Sequence, residues 1–176
     1  SPKLKKVLKN KKFDVITSIA MFYDLEDPSS FVKSIYENLY KDGIFIFEVS
    51  YMPEMLKLNS FDTICHEHLE YYSLTVIQKI FSSNDMKVAK VQFNQSNGSS
   101  IRCFVVKKDN YKFETKKDLN EIDKLLKKES KLGLNTNKPY LKFEKEVINL
   151  RNKLRKLILK LKKEGKNIHV YGASTK

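Results

Sequence analysis

The densest group of titratable side chains in this 176-residue sequence is Cys65-His66-Glu67-His68, followed by Glu70, Tyr71 and Tyr72. Two of the three histidines stand there. A neutral imidazole accepts a proton near physiological pH, and a neighbouring carboxylate orients it or stabilises its charged form, so the pattern suits general-base chemistry. His68 can take the proton. Glu67, His66 and the phenols of Tyr71 or Tyr72 can orient it or hydrogen-bond to a developing oxyanion, and the residue types do not rank them. The simpler alternative is that His66 and His68 only hydrogen-bond within a loop. Metal binding needs a third and usually a fourth ligand, and the spacing is not HExxH, so no metal site is expected. Cys65 and Cys103 form no CxxC pair and read as ordinary thiols.

Position matters more than composition. Phe13 to Ile19 (FDVITSI) is a short apolar run rich in β-branched residues, the pattern of a buried parallel strand. Asp27 can cap a helix that Pro28 opens, with Phe31, Val32, Ile35, Leu39 and Tyr40 at helical spacing until Lys41-Asp42-Gly43 ends it. Gly43 to Ser50 (GIFIFEVS) reads as the next strand. A β-α-β unit of this kind implies a parallel sheet covered by helices, as in doubly wound α/β folds. In such sheets reacting groups gather beyond the carboxyl ends of the strands, and the loop after Ser50 lies on that edge.

A short helix is expected in that loop, and Ser73 caps a further helix carrying Val76, Ile77, Ile80 and Phe81. Met86 to Phe93 and Ser100 to Val106 then form an antiparallel hairpin around the Asn97-Gly98 turn. From Lys112 the sequence is helical through Leu119, Ile122, Leu125 and Leu126, until Gly133. Asn137 and Pro139 open a longer helix whose Tyr140, Phe143, Val147, Leu150, Leu154, Leu157 and Leu161 alternate spacings of three and four. That heptad-like stripe packs on its own protein or, alternatively, forms a homo-oligomer through a coiled coil. Gly165 ends it, and Asn167 to Tyr171 is expected to open a new strand. None of the five glycines forms a GxGxxG cofactor loop.

The formal charge of +13 raises the question of nucleic acid. Arginine occurs only at positions 102, 151 and 155, and the lysines are spread along helices instead of clustered, so no nucleic-acid partner is expected. No apolar run approaches the length that spans a bilayer, and the lysine-rich opening from Ser1 to Lys12 lacks the apolar core of a signal peptide. The expectation is a cytoplasmic protein with no membrane partner.

Four stretches carry a family resemblance: Met21-Phe22-Tyr23-Asp24-Leu25-Glu26-Asp27-Pro28, Phe61 to Ser73 (FDTICHEHLEYYS), Asn97-Gly98 with Ile101-Arg102, and Tyr171-Gly172-Ala173-Ser174-Thr175-Lys176. Together they resemble the class I S-adenosylmethionine-dependent sugar C-methyltransferases. The resemblance implies a C-terminal half of a Rossmann-like methyltransferase sheet ending in an antiparallel hairpin over residues 1–110. It also implies a helical connector over 111–165 and the start of a nucleotide-sugar-binding α/β domain over 166–176. On this reading the sequence is an internal piece of a longer enzyme, inactive alone, and zinc belongs only to an N-terminal segment that it lacks.

By position, the resemblance makes His68 the general base and Glu67 its catalytic neighbour, with His66 and Tyr23 beside them. It places Ser18, Met21 and Phe22 against the methionine part of S-adenosylmethionine. Tyr71, Tyr72, Asn97, Arg102, Tyr171, Gly172, Ser174 and Lys176 fall to a nucleotide-linked deoxysugar, and Cys65 stands where some members have a tyrosine. Two readings from other classes stand beside this one: a non-catalytic binding module for a nucleotide sugar or protein partner, and a basic nucleic-acid-binding protein.

Overall fold

A run of β-branched residues, stiff at χ1 and suited to a pleated surface, makes β1 from Phe13–Ile19. The computed structural model describes residues 11–94 and 99–172. Helix α1 follows at Pro28–Asn38, where the Asp27 carboxylate accepts from the Ser30 backbone N–H at 3.0 Å and from its hydroxyl at 2.5 Å. Its inner face buries Val32 and Ile35.

Strand β2 spans Leu39–Ser50 and begins four residues before the predicted Gly43. Helical spacing did continue through Leu39 and Tyr40, but pairing with β1 takes Leu39 out of the helix. Leu39 is fully buried opposite Phe13, and the register resumes at Val15 opposite Ile44, so β2 carries three extra residues in a bulge. Gly43 sits in that bulge, where a Cβ would come within 2.9 Å of the Asp14 carbonyl oxygen. A side chain there has no room.

After β2 come a short helix α2 (Met52–Leu58), a 3₁₀ turn at Phe61–Thr63, and α3 (Leu74–Ser82), whose cap Ser73 accepts from the Val76 N–H. β3 (Met86–Asn94) and β4 (Ser100–Lys107) complete a sheet of order β1-β2-β4-β3. β1 and β2 are parallel, and β4 runs antiparallel to both of its neighbours. β1, β2 and β3 therefore point the same way, with β4 reversed between the last two. Ser50, Ser100 and Asn94 lie in register across the sheet, so the carboxyl ends of β2 and β3 share one edge.

One face of the sheet carries the main core. Phe45, Phe47, Val49, Ile101, Cys103 and Val105 alternate inward and meet α1 and α3. Phe22 is fully buried, with its ring centroid 4.9 Å from Phe47 and 5.9 Å from Phe81. Burying side chains of this size stabilises by roughly 1.5–3 kcal/mol each. The opposite face has a smaller cluster of Ile44, Ala89 and Val106.

Helix α4 (Lys116–Leu132) starts at Thr115, which accepts from the Asp118 N–H, and ends at Gly133 with φ +66°. It lies along β3 and α3, and adds Ile122 to the core. Helix α5 (Lys138–Lys163) meets α2 near its start, where the Tyr140 hydroxyl lies 3.8 Å from the Met52 sulfur. The predicted cap Asn137 makes no side-chain capping bond because its backbone is already helical, at φ −74° and ψ −14°. Along the heptad-like stripe, Leu150, Leu154 and Leu157 are exposed. Asn167 to Tyr171 forms no strand, contrary to expectation. A strand needs a hydrogen-bonding neighbour, and these residues have none among those described; Val170 and Tyr171 are almost fully exposed. No helix among the described residues is long and apolar enough to cross a membrane.

Candidate active site

The chain leaves β1 through Ala20, at φ +52°, whose N–H still reaches the Glu48 carbonyl on β2 at 3.0 Å. The turn Phe22–Asp24 follows. Its Tyr23 carbonyl accepts from the backbone N–H groups of Leu69 and Glu70 at 3.0 and 3.1 Å, which binds the exit of β1 to the loop carrying the histidines. Side chains then converge there. The Tyr23 and His68 rings lie 4.3 Å apart between centroids, and Tyr71 approaches His68 at 6.5 Å.

The half-buried His68 ring has a defined partner: its Nδ1 lies 2.8 Å from the Thr63 carbonyl oxygen. A carbonyl only accepts, so Nδ1 is the donor and the basic lone pair belongs to Nε2. The Tyr71 hydroxyl reaches the same carbonyl more weakly at 3.4 Å.

The other predicted residues are placed differently. The His66 side chain is 92% exposed, its Nε2 3.9 Å from the half-exposed carboxylate of Glu67. Tyr72 and Phe22 are buried, with their rings 5.2 Å apart between centroids. The Tyr72 hydroxyl has no hydrogen-bond partner among the described residues, and burial, then the charge of Glu70, push this phenol above its usual range. Ser18 is buried with an equally unpartnered hydroxyl, and Met21 is half-buried. Arg102 lies across the sheet on β4, donating from Nε to Glu48 Oε2 at 2.9 Å, with Nη2 in an ion pair 2.8 Å from the same oxygen. Tyr171 and Gly172 are exposed, in no regular element. Asn97, Ser174 and Lys176 fall outside the described residues. The described residues contain no cluster of metal-ligating side chains.

Sequence reasoning passed over a buried carboxylate. Glu129 on α4 is 2% exposed and accepts from the Tyr51 hydroxyl (2.6 Å), the Leu74 and Thr75 N–H groups (2.7 and 2.9 Å) and the Thr75 hydroxyl (2.5 Å). It thus ties α4 to the first turn of α3 and to the residue after β2. Tyr51 is itself bridged to Tyr72, and the Met52 N–H reaches the Tyr72 carbonyl at 2.9 Å, so Glu129 secures the distal end of the histidine loop. Burial, then the bond to Glu129, raise the Tyr51 phenol far above its usual range. Thr63 was also passed over, because its contribution is a backbone carbonyl. Neither residue leaves a side-chain signature in sequence.

Residues 3–91 match the family description "Methyltransferase domain". The chain belongs to that methyltransferase family. Residues 95–176 match a second description, "C-methyltransferase C-terminal domain". The C-methyltransferase NovU of Streptomyces niveus is 31% identical to this methyltransferase chain over 155 residues, covering 88% of it. The chain spans only 36% of the length of that relative. Among solved structures, the magnesium protoporphyrin IX methyltransferase of Synechocystis PCC 6803 is 13% identical, with 55% of this chain and 46% of the other covered at a TM-score of 0.44. An O-methyltransferase of neocarzinostatin biosynthesis is 10% identical, with 56% and 30% covered at 0.42.

Proposed function

We propose that this chain carries the substrate-facing part of an S-adenosylmethionine-dependent C-methyltransferase that acts on the carbon beside the ketone of a nucleotide-linked deoxysugar, with His68 as general base. The observation that carries the reading is the Thr63 carbonyl, which holds Nδ1 of His68 at 2.8 Å and leaves Nε2 as the atom that takes a proton. The match to a C-methyltransferase C-terminal domain and the likeness to NovU support the reaction type. Methylation at carbon, unlike methylation at oxygen, requires removal of a proton from carbon, so the ketone-adjacent position is where a base is needed.

The methyl donor, when bound, supplies an electrophilic methyl on a sulfonium. The unpartnered Ser18 hydroxyl and half-buried Met21 at the exit of β1 fit its methionine part and would hold it there, while Phe22 supports the turn from beneath. His68 Nε2 receives the carbon-bound proton, and the ketone oxygen gains the charge left behind. Tyr71, beside His68, would donate to that oxygen by turning its hydroxyl from the Thr63 carbonyl, and Tyr23 would support the imidazole ring it lies against. Glu67 and His66 act from the solvent side of the loop. Asn97, Arg102, Tyr171, Gly172, Ser174 and Lys176 are assigned to the substrate by family resemblance.

The test is solvent-deuterium exchange at the carbon beside the ketone, measured in the full-length protein without methyl donor. His68→Asn is expected to slow exchange by about 10²–10⁴-fold, the contribution of one positioned base, and His66→Asn by less. Exchange at the wild-type rate in His68→Asn removes the residue from this role.

A further inference from the structure

The loop that carries His68 is fastened at both ends to one oxygen atom. It occupies residues 52–73, between β2 and α3. Just before it, the Tyr51 hydroxyl donates to Glu129 Oε1 at 2.6 Å, and just after it the Leu74 N–H donates to the same oxygen at 2.7 Å. Glu129 Oε2 accepts from the N–H and the hydroxyl of Thr75. The N–H groups that open a helix need acceptors, and a side chain beside them in sequence commonly supplies one. Here the acceptor for Leu74 comes from α4, 55 residues along the chain. The start of α3 is thereby located against α4 and Tyr51 as well as capped. Ile122, Leu125 and Leu126 seat the same face of α4 on the main core, so the carboxylate is presented from a fixed element.

The fastening reaches His68 through few residues. The Leu69 and Glu70 N–H groups are held by the Tyr23 carbonyl at the exit of β1. Only Tyr71, Tyr72 and Ser73 separate them from Leu74. In the middle of that stretch, Tyr72 is bridged to Tyr51, and its carbonyl accepts from the Met52 N–H at 2.9 Å. So short a tether, fixed at its centre, has little slack, and a displacement of Leu74 passes to the residues beside His68. Glu129 lies in the region matching the C-methyltransferase C-terminal domain, whereas the loop lies in the region matching the methyltransferase domain.

We propose that Glu129 is a positioning residue for proton removal: from the C-terminal region it sets the loop so that the Thr63 carbonyl meets His68 Nδ1 and leaves Nε2 to the substrate. The catalytic part of this assignment rests on the reading of His68 as general base.

Two measurements on the full-length protein test it. The ¹⁵N signals of the His68 ring report whether the Nδ1–H tautomer is held, and the saturation kinetics of solvent-deuterium exchange beside the ketone report proton removal. Glu129→Gln keeps the side-chain shape but offers one acceptor oxygen in place of two and sets an NH₂ group against buried donors. It is expected to lose the single Nδ1–H signature and to lower the exchange kcat by about 10- to 100-fold, the range that a displacement of about 1 Å brings, with KM within about twofold. Tyr51→Phe releases one end of the loop and should lower kcat by a smaller factor; it decides the matter if Glu129→Gln does not fold. Ile122→Ala destabilises the same helix away from these hydrogen bonds, and its folded fraction should keep the wild-type ring signals and kcat. An unchanged ring signature or an unchanged kcat in both Glu129→Gln and Tyr51→Phe, or an equal loss in Ile122→Ala, would overturn the proposal. Wild-type exchange in His68→Asn would overturn the base and this role with it, whereas slow exchange in His68→Asn beside wild-type exchange in Glu129→Gln would overturn the role of Glu129 alone.

Discussion

Replacing Glu129 with alanine removes the acceptor for four donors at once. Thr75 is exposed enough for water to take over its two bonds, but the Tyr51 hydroxyl and Leu74 N–H belong to residues at 2% and 0% exposure. Each buried donor left unpaired costs about 1–3 kcal/mol, and lost packing around the carboxylate adds to this, so Glu129→Ala should lose about 3–5 kcal/mol. Urea unfolding followed by far-ultraviolet circular dichroism is the assay, with a lower midpoint at unchanged slope. Tyr51→Phe deletes one donor without orphaning another buried one and should cost about 1 kcal/mol. In the double variant the two losses should fall short of adding, because Tyr51 and Glu129 share one bond. A loss under about 1 kcal/mol for Glu129→Ala would refute the reasoning, since it would mean that solvent reaches the donors and the carboxylate is no staple.

Gly43→Ala forces a Cβ to within 2.9 Å of the Asp14 carbonyl and of Leu39, and should destabilise by about 1–3 kcal/mol in the same assay. Phe22→Ala empties a fully buried ring site and should cost about 3–5 kcal/mol, whereas Phe22→Leu should keep most of the stability. The hydrogen bonds from Ser30 hold the Asp27 carboxyl below its ordinary value. The stability from this cap is therefore present above the unfolded aspartate pKa and lost as pH falls through the lower folded one. Asp27→Asn, which keeps a capping oxygen without the charge, should flatten that part of the acid limb in a pH series of thermal unfolding.

Where local chemistry dictated structure, it could be read directly. β1 has the predicted bounds because its β-branched run pairs along nearly its whole length, and α1 and α3 begin where Asp27 and Ser73 cap them. The start of β2 was hidden because Leu39 fits the helical period of α1 and only its partner Phe13 reveals it as strand. Asn167 to Tyr171 has strand composition but no neighbour to pair with among the described residues. In the candidate site, residue types pointed to the 65–72 stretch without indicating which side chains meet. Adjacent residues diverge there: Tyr71 turns to His68, while Tyr72 sinks beside Phe22. His66 and His68 also part, one into solvent and one onto a carbonyl.

The reversed strand β4 has a consequence for the order of events when the chain is made. β2 ends at Ser50, yet the strand that closes its second edge does not finish until Lys107. At roughly 5–20 residues per second, translation leaves that edge open for about 3–11 s. During that interval Phe45, Phe47 and Val49 line a half-built sheet, and the parallel pair with β1 cannot shield them from a neighbouring nascent chain. β3 and β4 are separated by only five residues in sequence, so they can pair with each other first and dock as a finished pair. This long-range insertion is expected to be the slow step of folding, and substitutions that loosen the β3–β4 pair should slow refolding in a stopped-flow experiment.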